Sequence, residues 1–131
     1  MAEAAHLVLY VADQAAATAF WTRVLGQSPS LDVPGMTEFT LTRRTVLGLM
    51  PEAGIKALLG PALPDPTSAR GVPRAELYLV VVDPGGHHAR ALAAGAHELS
   101  PLRQRNWGDQ AAYSLDPDGH VIAFASRPVR S

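Results

Sequence analysis

The side chains able to carry chemistry are few, and their types narrow what that chemistry can be. Cysteine is absent from the 131 residues, which removes disulfide scaffolds, thiolate nucleophiles and Cys-ligated zinc or iron–sulfur centres; any metal would have to use His, Asp or Glu. Two candidates open similar apolar runs: His6 begins H-L-V-L-Y-V-A-D and Glu76 begins E-L-Y-L-V-V-V-D. Aligning His6 with Glu76 also aligns Asp13 with Asp83, so the chain contains an internal repeat. If both runs are strands, alternation puts His6 on one face with Val8 and Tyr10, and Glu76 on one face with Tyr78 and Val80. A His and a Glu so placed either satisfy each other or solvent at a strand start, or form a polar donor and acceptor in an apolar pocket.

The remaining candidates each carry two readings. Trp107 sits in a loop before a strand, where a large flat surface meets a ligand or merely covers a module edge. Tyr113, Phe39 and Met50 lie on expected strands and line a cavity or, more commonly for such residues, fill a core. Trp21 is assigned to packing. His87 and His88 are neighbours on an expected helix, about 100° apart, unlike an i, i+4 metal pair, and are read as solvated. His120 has the opposite parity to Ala123 and His97 opens a strand, while Arg103 and Arg105 either neutralise an anionic ligand at a pocket rim or, more commonly for such a pair in a loop, face solvent. The sequence has no Gly-rich phosphate loop and no nucleophile elbow.

Length and composition set the frame. A chain of 13.9 kDa with 47% apolar and 18% charged residues is of ordinary single-domain size and globular composition, and needs no staple to bury a core. A formal net charge of −1 without Lys or Arg runs offers no field for nucleic acid or an anionic membrane. Apolar stretches are too short to span a bilayer and the N-terminus lacks signal-peptide character, so a cytoplasmic location is expected.

Each repeat reads as strand, helix and three strands. Asp13 and Asp83 can cap helices at Gln14–Leu25 and Pro84–Ala94, which Gly26 and Gly95 stop. Extended segments follow at Ser30–Val33, Met36–Thr42 and Val46–Met50, and again at Ala96–Arg103, Gln110–Leu115 and Val121–Ser126. Asp116-Pro117-Asp118-Gly119 is a tight turn with a mechanism at each position. Five prolines and three glycines between Pro51 and Arg74 mark a linker in which Ile55–Leu59 can form a helical turn. The expected architecture is therefore α+β: one domain of two βαβββ modules, module one about 1–53, linker about 54–74 and module two about 75–131.

These modules, with the F-W-T-R-V-L-G helix and the closing N-W-G-D-Q-A-A-Y-S-L-D-P-D-G-H-V-I-A-F, resemble the vicinal oxygen chelate superfamily, which includes glyoxalase I, ring-cleaving dioxygenases and bleomycin-resistance proteins. The resemblance covers nearly the whole chain and is weakest from Gly54 to Arg74. It implies curved half-barrel sheets whose inner faces line a pocket. It also implies four inward metal-ligand positions, which fall here on His6, Gly48, Glu76 and Ala123. A catalytic zinc takes about three protein ligands and non-heme iron a facial triad, so His6 and Glu76 fall short, and no other residue of inward parity is evident.

The expected function is accordingly a non-catalytic, metal-free protein similar to the bleomycin-resistance group. It would sequester a small organic ligand in a cleft between paired modules, as a homodimer, with no cofactor and no nucleic-acid or membrane partner. Its walls would be Trp107, Tyr113, Phe39 and Met50, and its polar contacts His6 and Glu76. The modules pair either within a chain or by exchange between subunits. The alternative is a lyase, isomerase or dioxygenase of the same superfamily working through a divalent metal, with a metal-free acid–base variant using Glu76 and His6 ranked behind it.

Overall fold

Two short polar signals start the helices. The Asp13 carboxylate accepts from the Ala16 N–H at 3.0 Å and begins helix α1, Gln14–Leu25; Gly26, at φ 68°, takes the left-handed turn that ends it. Asp83 accepts from the Gly86 N–H at 3.0 Å, and Pro84 occupies the first turn of the helix it caps, where its missing N–H costs nothing.

The computed structural model describes residues 1–69 and 71–128, and these divide into two compact units, residues 1–22 with 26–69 and residues 23–25 with 71–128. The first holds β1 (Ala5–Val11), α1 as far as Thr22, β2 (Leu31–Val33), β3 (Met36–Thr42) and β4 (Thr45–Pro51), with sheet order β1-β4-β3-β2. Strand β1 pairs parallel to β4, and the other pairs are antiparallel. The second repeats the pattern with β5 (Glu76–Val80), a helix at Pro84–Ala93, β6 (His97–Gln104), β7 (Gln110–Leu115) and β8 (Val121–Ser126), in order β5-β8-β7-β6. Neither sheet closes on itself.

The expected linker has more structure than its prolines suggest. Glu52–Leu59 forms α2, which buries Ile55, and 3-10 turns follow at residues 60–62 and 66–69, so the helix extends beyond Ile55–Leu59 and the module-one boundary near residue 53 falls inside it. The helix at Pro84–Ala93 is therefore α3.

Each sheet buries the face on which its helix lies. In module one Thr37, Phe39, Leu47 and Leu49 are fully buried, and Phe20 and Trp21 meet edge-on at 5.4 Å. The Thr37 hydroxyl ties the helix to this face: it accepts from Gln14 Nε2 and Thr18 Oγ1, each at 2.9 Å, and donates to Asp32 Oδ1 at 3.1 Å. Phe39 pairs in register with Leu47, which pairs with Leu7, whereas His6 pairs with Val46. Phe39 therefore stands on the helix side and fills the core; it does not share a wall with His6. Fully burying such a side chain is worth about 1.5–3 kcal/mol, which is its role here.

In module two Ala112, Ser114, Ile122 and Phe124 are buried beneath α3. The imidazole of His87 packs against Phe124 at 5.2 Å, and His88 Nε2 hydrogen-bonds Glu98 Oε2 at 2.9 Å with only 8% of its side chain exposed. Neither His belongs to a solvated helix face, because α3 turns both toward its own sheet. The Asp116-Pro117-Asp118-Gly119 turn is held by the buried Asp116 carboxylate, which accepts from the Asp118 and His120 N–H groups at 2.9 and 2.8 Å and pairs with His120 Nδ1 at 2.9 Å.

Candidate functional site

Strand register sorts the candidate residues onto the face that each sheet turns away from its helix. In module one β1 and β4 pair His6 with Val46, Val8 with Gly48 and Tyr10 with Met50, and β3 sets Glu38 opposite Gly48. His6, Glu38, Gly48 and Met50 thus share a face. His6 Nδ1 lies 3.6 Å from Glu38 Oε2, reaching diagonally across β4; the two side chains are 47% and 24% exposed.

Gly48 pairs in register with both Val8 and Glu38. A Cβ built there would meet Val8 Cγ2 at 3.2 Å and Met36 Sδ at 3.3 Å, so its neighbours already crowd the path of any side chain. Glu38 is not among the residues nominated from the sequence. Its alternation with Met36 and Thr40 is visible there, but the side of the sheet to which that alternation belongs depends on pairing with β4.

Module two presents a different polar set. Tyr78 on β5 and Tyr113 on β7 are both register partners of Ala123, which is fully buried between them, while Glu76 is exposed at the start of β5. The Tyr78 hydroxyl donates to Asp109 Oδ2 at 2.6 Å and accepts from Trp107 Nε1 at 3.0 Å. Asp109 is buried, and Trp107 remains 55% exposed, so its ring is anchored at one edge and open elsewhere.

Arg105 is spent on local structure. Its guanidinium donates to the Ala111 carbonyl through Nε and Nη2, at 3.1 and 2.7 Å, to Ser100 Oγ at 2.9 Å and to the Pro101 carbonyl at 3.0 Å, and lies 5.1 Å from the centre of the Tyr113 ring. It is a clamp on Tyr113 and the β6–β7 ladder, not a solvent-facing rim charge. Burial, followed by the hydrogen bond to Asp109, raises the Tyr78 phenol above its ordinary value of 10.0; burial, followed by the Glu76 carboxylate, raises Tyr113. Both phenols stay neutral at physiological pH, and that of Tyr78 serves as donor and acceptor.

The sequence candidates therefore sort by module. His6 and Met50 share one face in module one, with Glu38 added. Glu76 and Tyr113 share one in module two, where Tyr78 and Asp109 connect Trp107 to it. His97 is exposed at the start of β6 and His120 belongs to the Asp116 turn. The implied metal set does not fit the geometry: Gly48 and Ala123 carry no donor atom, the first is hemmed in by Val8 and Met36, and the second is buried between register partners Tyr78 and Tyr113. An open groove of about 620 Å³ lined by Asp13, Gln14, Thr18, Asp32 and Val33 lies elsewhere, at the start of α1. Gln14 there already bonds Val33, Gly35 and Thr37, which leaves the strand faces as the stronger candidate.

Known proteins share this arrangement. An uncharacterized protein of Mycobacterium bovis is 32% identical over 130 residues, 95% of this chain and 82% of its own length. A glyoxalase-related enzyme from Fulvimarina pelagi superposes with a TM-score of 0.82 at 24% identity, covering 98% of this chain and 91% of its own. A glyoxalase/bleomycin resistance protein/dioxygenase family enzyme from Burkholderia phytofirmans does so at 0.79 and 20% identity, over 94% and 97% of the two chains. The repeated βαβββ module seen here is the fold of these structures, and with residues 3–124 matching the sequence profile of the family, the chain belongs to the Glyoxalase/Bleomycin resistance protein/Dioxygenase superfamily.

Proposed function

We propose that this chain binds a small organic molecule on the strand faces opposite its helices, without a resident metal and without chemical turnover, in the manner of bleomycin-resistance members of its superfamily. The observation that carries the reading is the pair Gly48 and Ala123: two of the four positions implied to hold metal bring no donor, and packing crowds the side chain that would restore one at Gly48. What the faces offer instead is an exposed, edge-anchored indole at Trp107, neutral phenol at Tyr113, thioether at Met50 and polar contacts at His6 and Glu76. A few polar groups on apolar surface are what small-molecule sites generally require. Action as a cytoplasmic homodimer, with neither nucleic acid nor membrane as partner, completes the proposal.

The test joins metal analysis to a ligand screen. Purified protein should contain substoichiometric divalent metal and bind it weakly, and aromatic or amphipathic compounds should change the fluorescence of wild type but not of Trp107→Ala. Light scattering should return the mass of a dimer. A ligand whose affinity survives Trp107→Ala would remove that residue from the site.

The second reading is a metal-dependent lyase, isomerase or dioxygenase. The retained His6 and Glu76 favour it, as do two structural relatives named as enzymes. Tight stoichiometric metal that is lost in Glu76→Ala would establish it over the first.

A further inference from the structure

Resting on the small-molecule reading above, we propose that Glu38 is the specificity-determining residue of the module-one face and that it receives a cationic nitrogen, an amidinium or ammonium, carried by an otherwise apolar molecule. The carboxylate is three-quarters withdrawn from water, with 24% of the side chain exposed. Its approach to His6 at 3.6 Å is too long for a hydrogen bond, and among the described residues no donor otherwise reaches it. A carboxylate has about four acceptor positions, and one whose neighbour is a single imidazole at ion-pair distance keeps positions for a bound donor.

The surroundings define the rest of the molecule. Gly48 lies directly opposite Glu38, and Val8 and Met36 close over it, so the surface beside the carboxylate is apolar side chain. Val46 and Met50 continue the same face along β4. Thioethers and branched methyls suit a flat apolar body. Charge fixes the polar end: a carboxylate or phosphate there would meet Glu38 as a like charge, whereas an amidinium can pair with it bidentately, the strongest common geometry for a carboxylate.

Benzamidine, with benzoate as the anionic counterpart, provides the experiment on the 131-residue chain, followed through the methyl NMR signals of Met36 and Met50 and by calorimetry. Benzamidine should shift both methyls, benzoate should not, and Glu38→Gln should weaken benzamidine by about tenfold or more, the usual loss when a charge-assisted hydrogen bond is removed. An unshifted methyl spectrum for the unbound variant confirms that it folds, and Glu38→Ala repeats the comparison without the amide. Equal binding of benzoate, no binding of benzamidine, or unchanged affinity in Glu38→Gln would each overturn the inference. Aromatic compounds that still quench Trp107 in that case leave the broader reading standing, while tight metal at His6 and Glu76 defeats the broader reading whatever Glu38 does.

Discussion

Tyr78 and Asp109 meet through a 2.6 Å hydrogen bond that closes 31 positions of chain, and the same phenol oxygen accepts the indole N–H of Trp107 at 3.0 Å. One hydroxyl thus holds a buried carboxylate and an exposed aromatic ring in register. Tyr78→Phe removes both bonds and leaves Asp109, 7% exposed, without its phenol donor. The variant should lose about 1–3 kcal/mol in urea unfolding, the cost of a buried polar group stripped of its partner. Trp107 should also become more accessible to acrylamide. Unchanged stability would mean that Asp109 has little need of this bond.

The same tyrosines impose a pH dependence at the alkaline end. Both phenols are raised from 10.0 in the folded chain, chiefly by burial, so the folded state retains protons that the unfolded chain releases. Their contribution is therefore complete below pH about 10 and is lost as pH climbs through the folded values. Urea midpoints followed from about pH 8 to 11.5 should be flat and then fall, and the fall should be shallower in Tyr78→Phe.

Crowding around Gly48 predicts an asymmetric cost. Gly48→Ala brings a Cβ to within 3.2 Å of Val8 and 3.3 Å of Met36 and should destabilise the chain by about 1–3 kcal/mol, as overpacking does. Val8→Ala in the same chain should recover part of that loss, giving a non-additive double-mutant cycle in thermal denaturation. Strict additivity would show that the strand simply shifts.

His88 and Glu98 should respond unequally to mutation. His88→Ala removes a side chain that is 8% exposed and bonded to Glu98 at 2.9 Å, and should cost about 1–3 kcal/mol with faster hydrogen exchange along α3. Glu98, 45% exposed, has solvent as a substitute, and Glu98→Gln keeps an acceptor, so its effect should be smaller.

Much of the fold is legible in the order of residues alone. The boundaries of α1, β3, β7 and β8 coincide with those read from periodicity, caps and turns, and the remaining strands shift by one or a few residues. α2 is less legible because five prolines and three glycines in its segment argue for loop, while the burial of Ile55 against the sheet outweighs them. The candidate site is legible only in outline: His6, Met50, Glu76, Tyr113 and Trp107 can be nominated from type and position and Tyr78 placed on the face of Glu76, but Phe39 belongs with the core, and Glu38 and Asp109 are not nominated.

What the sequence by itself determined is the repeated order of elements and the family, because Asp13, Asp83, Gly26 and the Asp116 turn act on backbone groups only two to four residues away. Only the tertiary structure decided which partners those elements bring together. Alternation along β3 separates Glu38 from Phe39, but their assignment to the open face and the core follows from the pairing with β4, and His6 finds Glu38 across 32 positions by the same pairing. Register between distant strands is a property of the packed sheet, where a shift of one residue would exchange the two faces, and no local pattern encodes it.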